Sequence, residues 1–244
     1  MPESRLTAAR LRADAQALPD VRLDIEAVLP WLYPAACVRL PELRISKLRD
    51  WLWRHQALIP PGLTACRDRR LRGGVVAWRG FGLLFADRDD TEDEQRFTLA
   101  HEAAHYLRDH LYPRCDLLRR FGPAIQPVLD GLRPPTREER IDALLAHASL
   151  TFHTHLLERD VAPDPSLDAL EADADAFACE ILAPIAALEA RFPSLSADEN
   201  TVREVQAALC ADYRLPPKPA LAYARAFVAE RGAPVTLLHR LSLA

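Results

Sequence analysis

The segment RFTLAHEAAHYLRDH, at 96–110, constrains this chain more than any other feature of the sequence. It places His101 and His105 four residues apart, with Glu102 directly after the first histidine. Residues at this spacing share one face of a helix, with Cβ atoms about 5–6 Å apart, so both imidazoles can bind one metal ion. Glu102 lies about 100° further round the helix, where its carboxylate can take a proton from a metal-bound water. With 8 histidines in 244 residues, chance predicts roughly 0.02 occurrences of this pattern.

A catalytic zinc site needs three protein ligands and one open position for water. One common continuation of the motif, that of the metzincins, has a glycine three residues after the second histidine and a third histidine three residues later. The chain has Arg108 and Leu111 at those places, which excludes that class. The third ligand is therefore expected from elsewhere in the chain.

The segment EADADAFACEILAP, at 171–184, supplies a candidate third ligand on a second predicted helix. Glu171 borders the apolar stripe of that helix, and Asp175 follows it by four residues on the same face. Asp175 is thus placed to accept a hydrogen bond from a ligand imidazole and to fix its tautomer. Asp173 and Glu180 lie off this face. The alternative for Glu171 is an ordinary acidic residue in the first turn of a helix.

The rest of the pattern predicts an α+β chain that is mostly helical, with a small β-hairpin packed on the helix of the motif. Strands are predicted at 71–78 and 81–86, turning at Arg79-Gly80, and the capping box Thr91-x-x-Glu94 begins the motif helix, at about 92–110. Five prolines indicate a loop over 111–135. A further strand is predicted at 150–158. The other predicted helices are at 4–18, 24–29, 43–56, 136–147, 166–183, 197–211 and 217–230.

Composition excludes several functional classes. A hydrophobic content of 49% is enough for a packed core, and a net charge of −4 argues against binding nucleic acid or an anionic membrane surface. No stretch is long and apolar enough to be a leader or a membrane span. Five scattered cysteines without a C-x-x-C pair favour free thiols in a reducing compartment, so a cytoplasmic location is expected.

The two motifs together resemble those of the ImmA/IrrE family of zinc metallopeptidases, whose ligand set is similar to that of gluzincins. The shared patterns are R-F-T-x-A-H-E-x-x-H after a β-hairpin and E-x-x-A-[ND]-x-F-A-x-x-[LI]-L-x-P. The resemblance implies a zincin-like fold with one Zn²⁺ per chain, held by His101, His105 and Glu171, and Glu102 as the general base. It also implies a peptidase core at 63–190, between an N-terminal helical region (1–62) and a C-terminal helical extension (191–244).

One departure from the family is the length of chain between the motifs. Residue 171 follows residue 105 by 66 positions, which indicates an insertion at about 111–165. It carries His147, His153 and His155, of which the last two would share one strand face. A second metal or an oxyanion donor is conceivable there, but polar surface histidines are the expectation. His110 is likewise expected at the solvent end of its helix.

Members of this family commonly cleave a helix-turn-helix repressor, so the resemblance implies an endopeptidase with a protein substrate and no nucleic-acid or membrane partner. One alternative is a transcription factor that uses 197–211 and 217–230 as a helix-turn-helix. Against it, 185–244 holds 7 basic and 6 acidic side chains, a net of +1 (7 − 6), which is poor for phosphate contacts. The other alternative is a non-cleaving toxin–antitoxin partner with the same fold. Glu102 argues against that one, because a binding module needs no general base.

The hairpin glycines offer a place for a peptide substrate. Gly73, Gly74, Gly80 and Gly82 reduce the side chains of the two strands, so a peptide backbone could approach and pair as an added strand. Gly74 and Gly80 are the predicted substrate-binding positions. For Gly80, turn geometry alone is the alternative explanation.

Overall fold

The computed structural model describes residues 8, 10–13, 24–145, 152–159 and 168–231. In these ranges the chain is α+β and mostly helical, as predicted, with one four-stranded mixed sheet. The strands are β1 (Ala35–Leu40), β2 (Leu71–Trp78), β3 (Phe81–Asp87) and β4 (Phe152–Glu158). The α-helices are α1 (Ile25–Leu32), α2 (Ile45–Arg54), α3 (Pro61–Ala65), α4 (Glu92–His105), α5 (Tyr112–Phe121), α6 (Gln126–Leu129), α7 (Arg137–Leu145), α8 (Asp168–Leu182), α9 (Ile185–Arg191), α10 (Glu199–Asp212) and α11 (Pro217–Arg231).

The sheet has the order β1-β3-β2-β4, so the predicted hairpin is its centre. β2 is antiparallel to both β3 and β4, and β1 is parallel to β3. The predicted turn is confirmed: Arg79 and Gly80 have φ angles of 52° and 82°, as a two-residue hairpin of type I′ requires. The predicted strand at 150–158 is confirmed as β4. The region predicted as N-terminal and helical, 1–62, also contains a strand that the sequence did not predict, β1, which pairs with β3.

The two faces of the sheet pack against different helices. One face contributes Val75, Ala77 and Leu84 to the main core, which also contains buried side chains of α4, α8, α10 and α11. The opposite face contributes Val76 and Phe85 to a second core with α2 and α3. The alternation of side chains along β2 and β3 therefore buries both faces, and α4 lies against the first of them. None of the described helices combines the length and apolar character that crossing a bilayer requires.

The helix of the motif does not end near residue 110. The chain continues from α4 through a π-helical segment, Tyr106–Leu111, directly into α5. The prediction of a loop over 111–135 is wrong, because Pro113, Pro123 and Pro127 occupy the first turns of short helical segments. Pro123 costs little, because it follows the break at Gly122 and its missing N–H would have no helical partner.

Two glycines let the helix approach the sheet closely. A Cβ atom on Gly82 would lie 2.5 Å from the ring of Tyr106, whose hydroxyl donates to the carbonyl oxygen of Gly80 at 2.8 Å. A Cβ atom on Gly73 would lie 2.3 Å from Cγ2 of Thr98 and 3.1 Å from Oε1 of Glu102. Gly73 and Gly82 thus serve the contact of the hairpin with α4 and with the π-helical segment that follows it.

We expect Gly73→Ala to lower the free energy of unfolding by about 1–3 kcal/mol, because the added methyl overpacks the contact between β2 and α4. Gly62→Ala is the matched control, since a Cβ at that glycine meets nothing within 4 Å. Chemical denaturation of both variants measures the difference. Equal stability of the two variants would show that the helix can move away from the strand at little cost.

Candidate metal centre

The two histidines of the motif lie on the buried side of α4. The helix begins with the predicted capping box, in which the Thr91 side chain accepts from the Glu94 amide and the Glu94 carboxylate accepts from the Thr91 amide. From this start, the helix turns His101 and His105 toward the interior, where they are 2% and 3% exposed. Their ring centroids are 5.0 Å apart, so both rings can reach a single ion.

Glu171, on α8, faces this pair of histidines. Its Oε2 lies 3.2 Å from Nε2 of His101, and its Oε1 lies 3.7 Å from Nε2 of His105. The structure thus brings together the three residues that sequence and resemblance select as ligands. Helix α8 packs along α4, and its buried Ala174, Phe177 and Ala178 belong to the main core. This packing holds α8 in place, with Glu171 next to the two histidines of α4.

A third imidazole, that of His155, completes the cluster. His155 pairs with Val75 in the β4–β2 register, on the sheet face that meets α4. Its ring stacks on that of His105, with centroids 3.7 Å apart, and its Nε2 lies 3.0 Å from Oε1 of Glu171. The expectation of a surface histidine is wrong for His155, whose side chain is 17% exposed. The reason is that β4 pairs with β2 and places this side chain on the sheet face that α4 covers.

Each of the three imidazoles has its Nδ1 atom on a carboxylate oxygen at 2.9 Å. Since an ionised carboxylate only accepts hydrogen bonds, each Nδ1 carries a proton and donates it. Nε2 of each ring is then directed to the centre of the cluster, as in the carboxylate–histidine–metal arrangement of many zinc sites. The pairs are His101 with Asp175, His105 with Asp109, and His155 with Glu102.

The charges in the cluster shift the pKa values of its members strongly. Burial alone would lower the pKa of His101, but its contacts with Asp175 and Glu171 raise it to about 9. Burial opposes protonation of His155 too, and the charges of Glu102 and Glu171 raise its pKa to about 10. Burial would raise the pKa of Glu171, and its close contacts with His101 and His155 lower it well below its usual range. A metal ion must displace these protons, so metal affinity rises with pH.

Arg108 and Asp109 hold the second histidine in place. The Arg108 guanidinium contacts both oxygens of Asp109, at 2.6 Å and 2.8 Å. Burial would raise the pKa of Asp109, and hydrogen bonds from Arg108 and His105 lower it well below its usual range. Burial lowers the pKa of His105, which favours the neutral ring that binds metals. Arg108 therefore keeps Asp109 ionised beside the His105 ring.

The donor atoms present fit a metal ion. Nε2 of His101 and Nε2 of His105 are buried and make no hydrogen bond, although His101 lies close to Glu171. Buried polar atoms without a partner are rare in proteins, and here they face a carboxylate across a small space. One ligand atom each from His101, His105, His155 and Glu171 lie within 4.8 Å of one another. These residues could hold a metal ion, and nitrogen and carboxylate oxygen donors are typical of zinc sites.

Glu102 is fully buried beside the cluster. Its Oε2 accepts from Nδ1 of His155, and its Oε1 has no hydrogen-bond partner. The carboxylate lies between α4, on which it is carried, and the neighbouring strands β2 and β4. An unpartnered buried carboxylate oxygen is a site at which a proton can be received.

The structure does not place Gly74 and Gly80 for substrate binding. Gly74 is paired with Phe85 on one side and Leu156 on the other, so β2 has no free edge there. Gly80 is in the hairpin turn, and its amide donates to Nε2 of His110 at 3.1 Å. The prediction of a free hairpin edge is therefore wrong, because β1 and β4 cover both sides of the hairpin. In the described part of the chain, β4 is the sheet edge beside the residues that could hold a metal ion.

Two further histidines, His110 and His153, are buried or nearly so. His110 is buried rather than solvent-exposed, because the helix continues past it into α5, and burial lowers its pKa to about 4. His153 is also not a surface residue: its side chain is 20% exposed, and burial lowers its pKa to about 4. It forms a second group with His105 and Asp109, but Nδ1 of His105 already donates to Asp109. His147 lies outside the described residues.

Two members of the cluster were not selected from the sequence. Asp109 follows His105 by four residues, the same spacing that pairs the two motif histidines, and this spacing is a usable signal. His155 has a weaker signal, the alternation with His153 in a predicted strand. That alternation places both on one face without saying which element the face meets.

No family model, curated protein or solved structure matches the chain. The assignment of function therefore depends on the residues of the cluster and their geometry.

We expect Asp175→Ala and Asp109→Ala each to weaken zinc binding by about 10–100-fold without abolishing it, as for carboxylates that orient a ligand. Asp109→Ala is expected to cause the larger loss, because Asp109 is 24% exposed and Asp175 is 53% exposed. Asp173→Ala, on the same helix as Asp175, is the control. Competition with a chelating dye measures the affinities, and an unchanged affinity in both variants would remove these carboxylates from the site.

Proposed function

We propose that this chain is a zinc-dependent endopeptidase of the ImmA/IrrE type, acting on a protein substrate. One observation carries the proposal. Unpartnered Nε2 atoms of His101 and His105 face the Glu171 carboxylate. The buried Glu102 carboxylate accepts from His155, the remaining imidazole of the same cluster. This combination is the donor set of a hydrolytic zinc site together with a proton acceptor.

The residues have separate roles in this proposal. His101, His105 and Glu171 would hold zinc, which when bound polarises the scissile carbonyl and lowers the pKa of bound water to about 7. Glu102 takes the proton from the attacking water and passes it to the leaving amine. Asp175 and Asp109 keep the ligand rings in the tautomer with Nε2 free.

The outer edge of β4 is the candidate surface for the substrate backbone. In the described residues β4 pairs with β2 alone and is an edge of the sheet. An extended peptide can add to such an edge through main-chain hydrogen bonds. The edge carries His155, which contacts both Glu102 and Glu171, so a peptide bound there would pass close to the cluster.

A non-catalytic metal protein is the second candidate, and one observation favours it. His155 places a fourth donor atom in the cluster. Structural zinc sites have four protein ligands, whereas catalytic sites keep one position open for water. Cleavage assays separate the two candidates.

The proposed function is tested with the zinc-loaded chain, a helix-turn-helix repressor encoded beside it, and casein as an unrelated protein. Discrete repressor fragments that disappear after chelation and return with added zinc are the expected result. A repressor that stays whole while casein is cut would contradict the proposed substrate and keep the peptidase. No cleavage of either protein by a fully zinc-loaded chain would favour the non-catalytic candidate.

A further inference from the structure

We propose that His155 is a fourth metal ligand, so that the described arrangement is the closed form of the centre. The inference rests on the metal-binding part of the proposed function and not on peptide cleavage. His155 resembles the two motif histidines in two respects: Nδ1 of each ring contacts a carboxylate, and Nε2 of each ring faces Glu171.

The first step is the orientation of the ring. His155 donates from Nδ1 to a carboxylate oxygen at 2.9 Å, as His101 and His105 do. Nε2 of His155 is directed at Glu171 from the strand side, opposite the helix that carries the other two rings. Three rings from two elements thus present the same nitrogen to one carboxylate, which is more than a hydrogen-bonded surface histidine requires.

The second step is the spacing of the donor atoms. A tetrahedral zinc site with ligand distances of about 2.0–2.1 Å has donors about 3.3–3.4 Å apart. The distances from Glu171 oxygens to Nε2 are 3.2 Å for His101, 3.7 Å for His105 and 3.0 Å for His155. Two of these distances are shorter than the tetrahedral spacing and one is longer. The distance for His155 differs from that spacing by no more than the distance for His105 does.

The third step is the engagement of Glu102. The same His155 ring that supplies Nε2 to the cluster donates from Nδ1 to Oε2 of Glu102. In the closed form, His155 takes the position that water needs, and Glu102 orients a ligand instead of a water. When His155 leaves, the metal position and the Glu102 oxygen become available together.

X-ray absorption on the zinc-loaded full chain tests the inference without any substitution. Three imidazoles in the zinc shell are the expected result, and two imidazoles with an additional water oxygen would overturn it. Cleavage is assayed on the same preparation. Three imidazoles, with no cleavage by either the wild-type chain or His155→Ala, would keep the ligand and reject the peptidase. Two imidazoles with cleavage would do the reverse.

Cobalt spectroscopy of His155→Ala gives a second test. The Co²⁺-loaded wild-type chain is expected to keep its visible spectrum on addition of azide, because no coordination position is open. His155→Ala is expected to bind one Co²⁺ per chain with a shifted spectrum that responds to azide. His153→Ala, two residues away on the same strand face, is the matched control and should behave as wild type. An azide response in the wild-type chain would overturn the inference.

Discussion

Glu102→Gln is expected to leave the fold and the metal in place while it reduces the cleavage rate by about 10²–10⁴, the usual contribution of a general base. Glutamine has nearly the same shape as glutamate, and its side-chain carbonyl can still accept from Nδ1 of His155, which the carboxylate contacts at 2.9 Å. It cannot receive a proton from water. Initial rates on a peptide substrate, with zinc content measured on the same samples, give the result.

The control for this prediction is Glu92→Gln in the first turn of the same helix. Glu92 pairs with Arg214 at the surface, where solvent screens the two charges and the pair adds little to stability. This variant should cleave at the wild-type rate. Near-normal cleavage by Glu102→Gln would reject the role assigned to Glu102 and require another proton acceptor.

Glu171→Ala is expected to lower zinc affinity by more than about 100-fold, beyond the loss expected for a carboxylate that only orients a ligand. Glu171 is the acid that all three imidazoles face, and it is the single donor from α8 in the group that could hold a metal. Its removal leaves three Nε2 atoms converging without a counter-charge. Equilibrium dialysis against buffered zinc measures the affinity.

Asp173→Ala is the matched control for Glu171→Ala, since both residues are acids in the first turns of α8. A variant that lacks Glu171 but keeps full zinc occupancy would show that the ion is held without α8. In that case, His155 would be the remaining candidate for a third ligand beside His101 and His105.

The local parts of the structure follow directly from sequence patterns. The helix start at Thr91 and Glu94 forms the predicted capping box, because its hydrogen bonds join residues three apart. The hairpin turns at Arg79-Gly80, where both residues have positive φ angles, as this type of turn requires. Glycine adopts a positive φ at little cost, so Gly80 is the sequence signal for the turn. Helical spacing also explains how His101 and His105 come to share a face of α4.

The non-local parts could not be predicted from one sequence. Nothing in residues 35–40 indicates that they pair with β3 rather than with another strand, and the strand order depends on that pairing. The place of His155 depends on the register of β4 against β2, which is set by pairing between residues 74–87 positions apart in the chain. A period of two places His153 and His155 on one face, and only the sheet shows that this face meets α4.

The prolines between 113 and 127 illustrate a different limit. A proline is equally compatible with a loop and with the first turn of a helix, so composition alone cannot separate the two. The helical path from α4 into α5 buries His110 and Tyr106 against the hairpin. These tertiary contacts, rather than local propensity, distinguish the two possibilities.

Metal analysis of the purified chain tests the central claim most directly. The protein is prepared without chelators, loaded with zinc, passed through a desalting column and measured by mass spectrometry of the elements, alongside Glu171→Ala. The account predicts one zinc per wild-type chain and a marked loss in the variant. A folded wild-type chain that retains no zinc would contradict it.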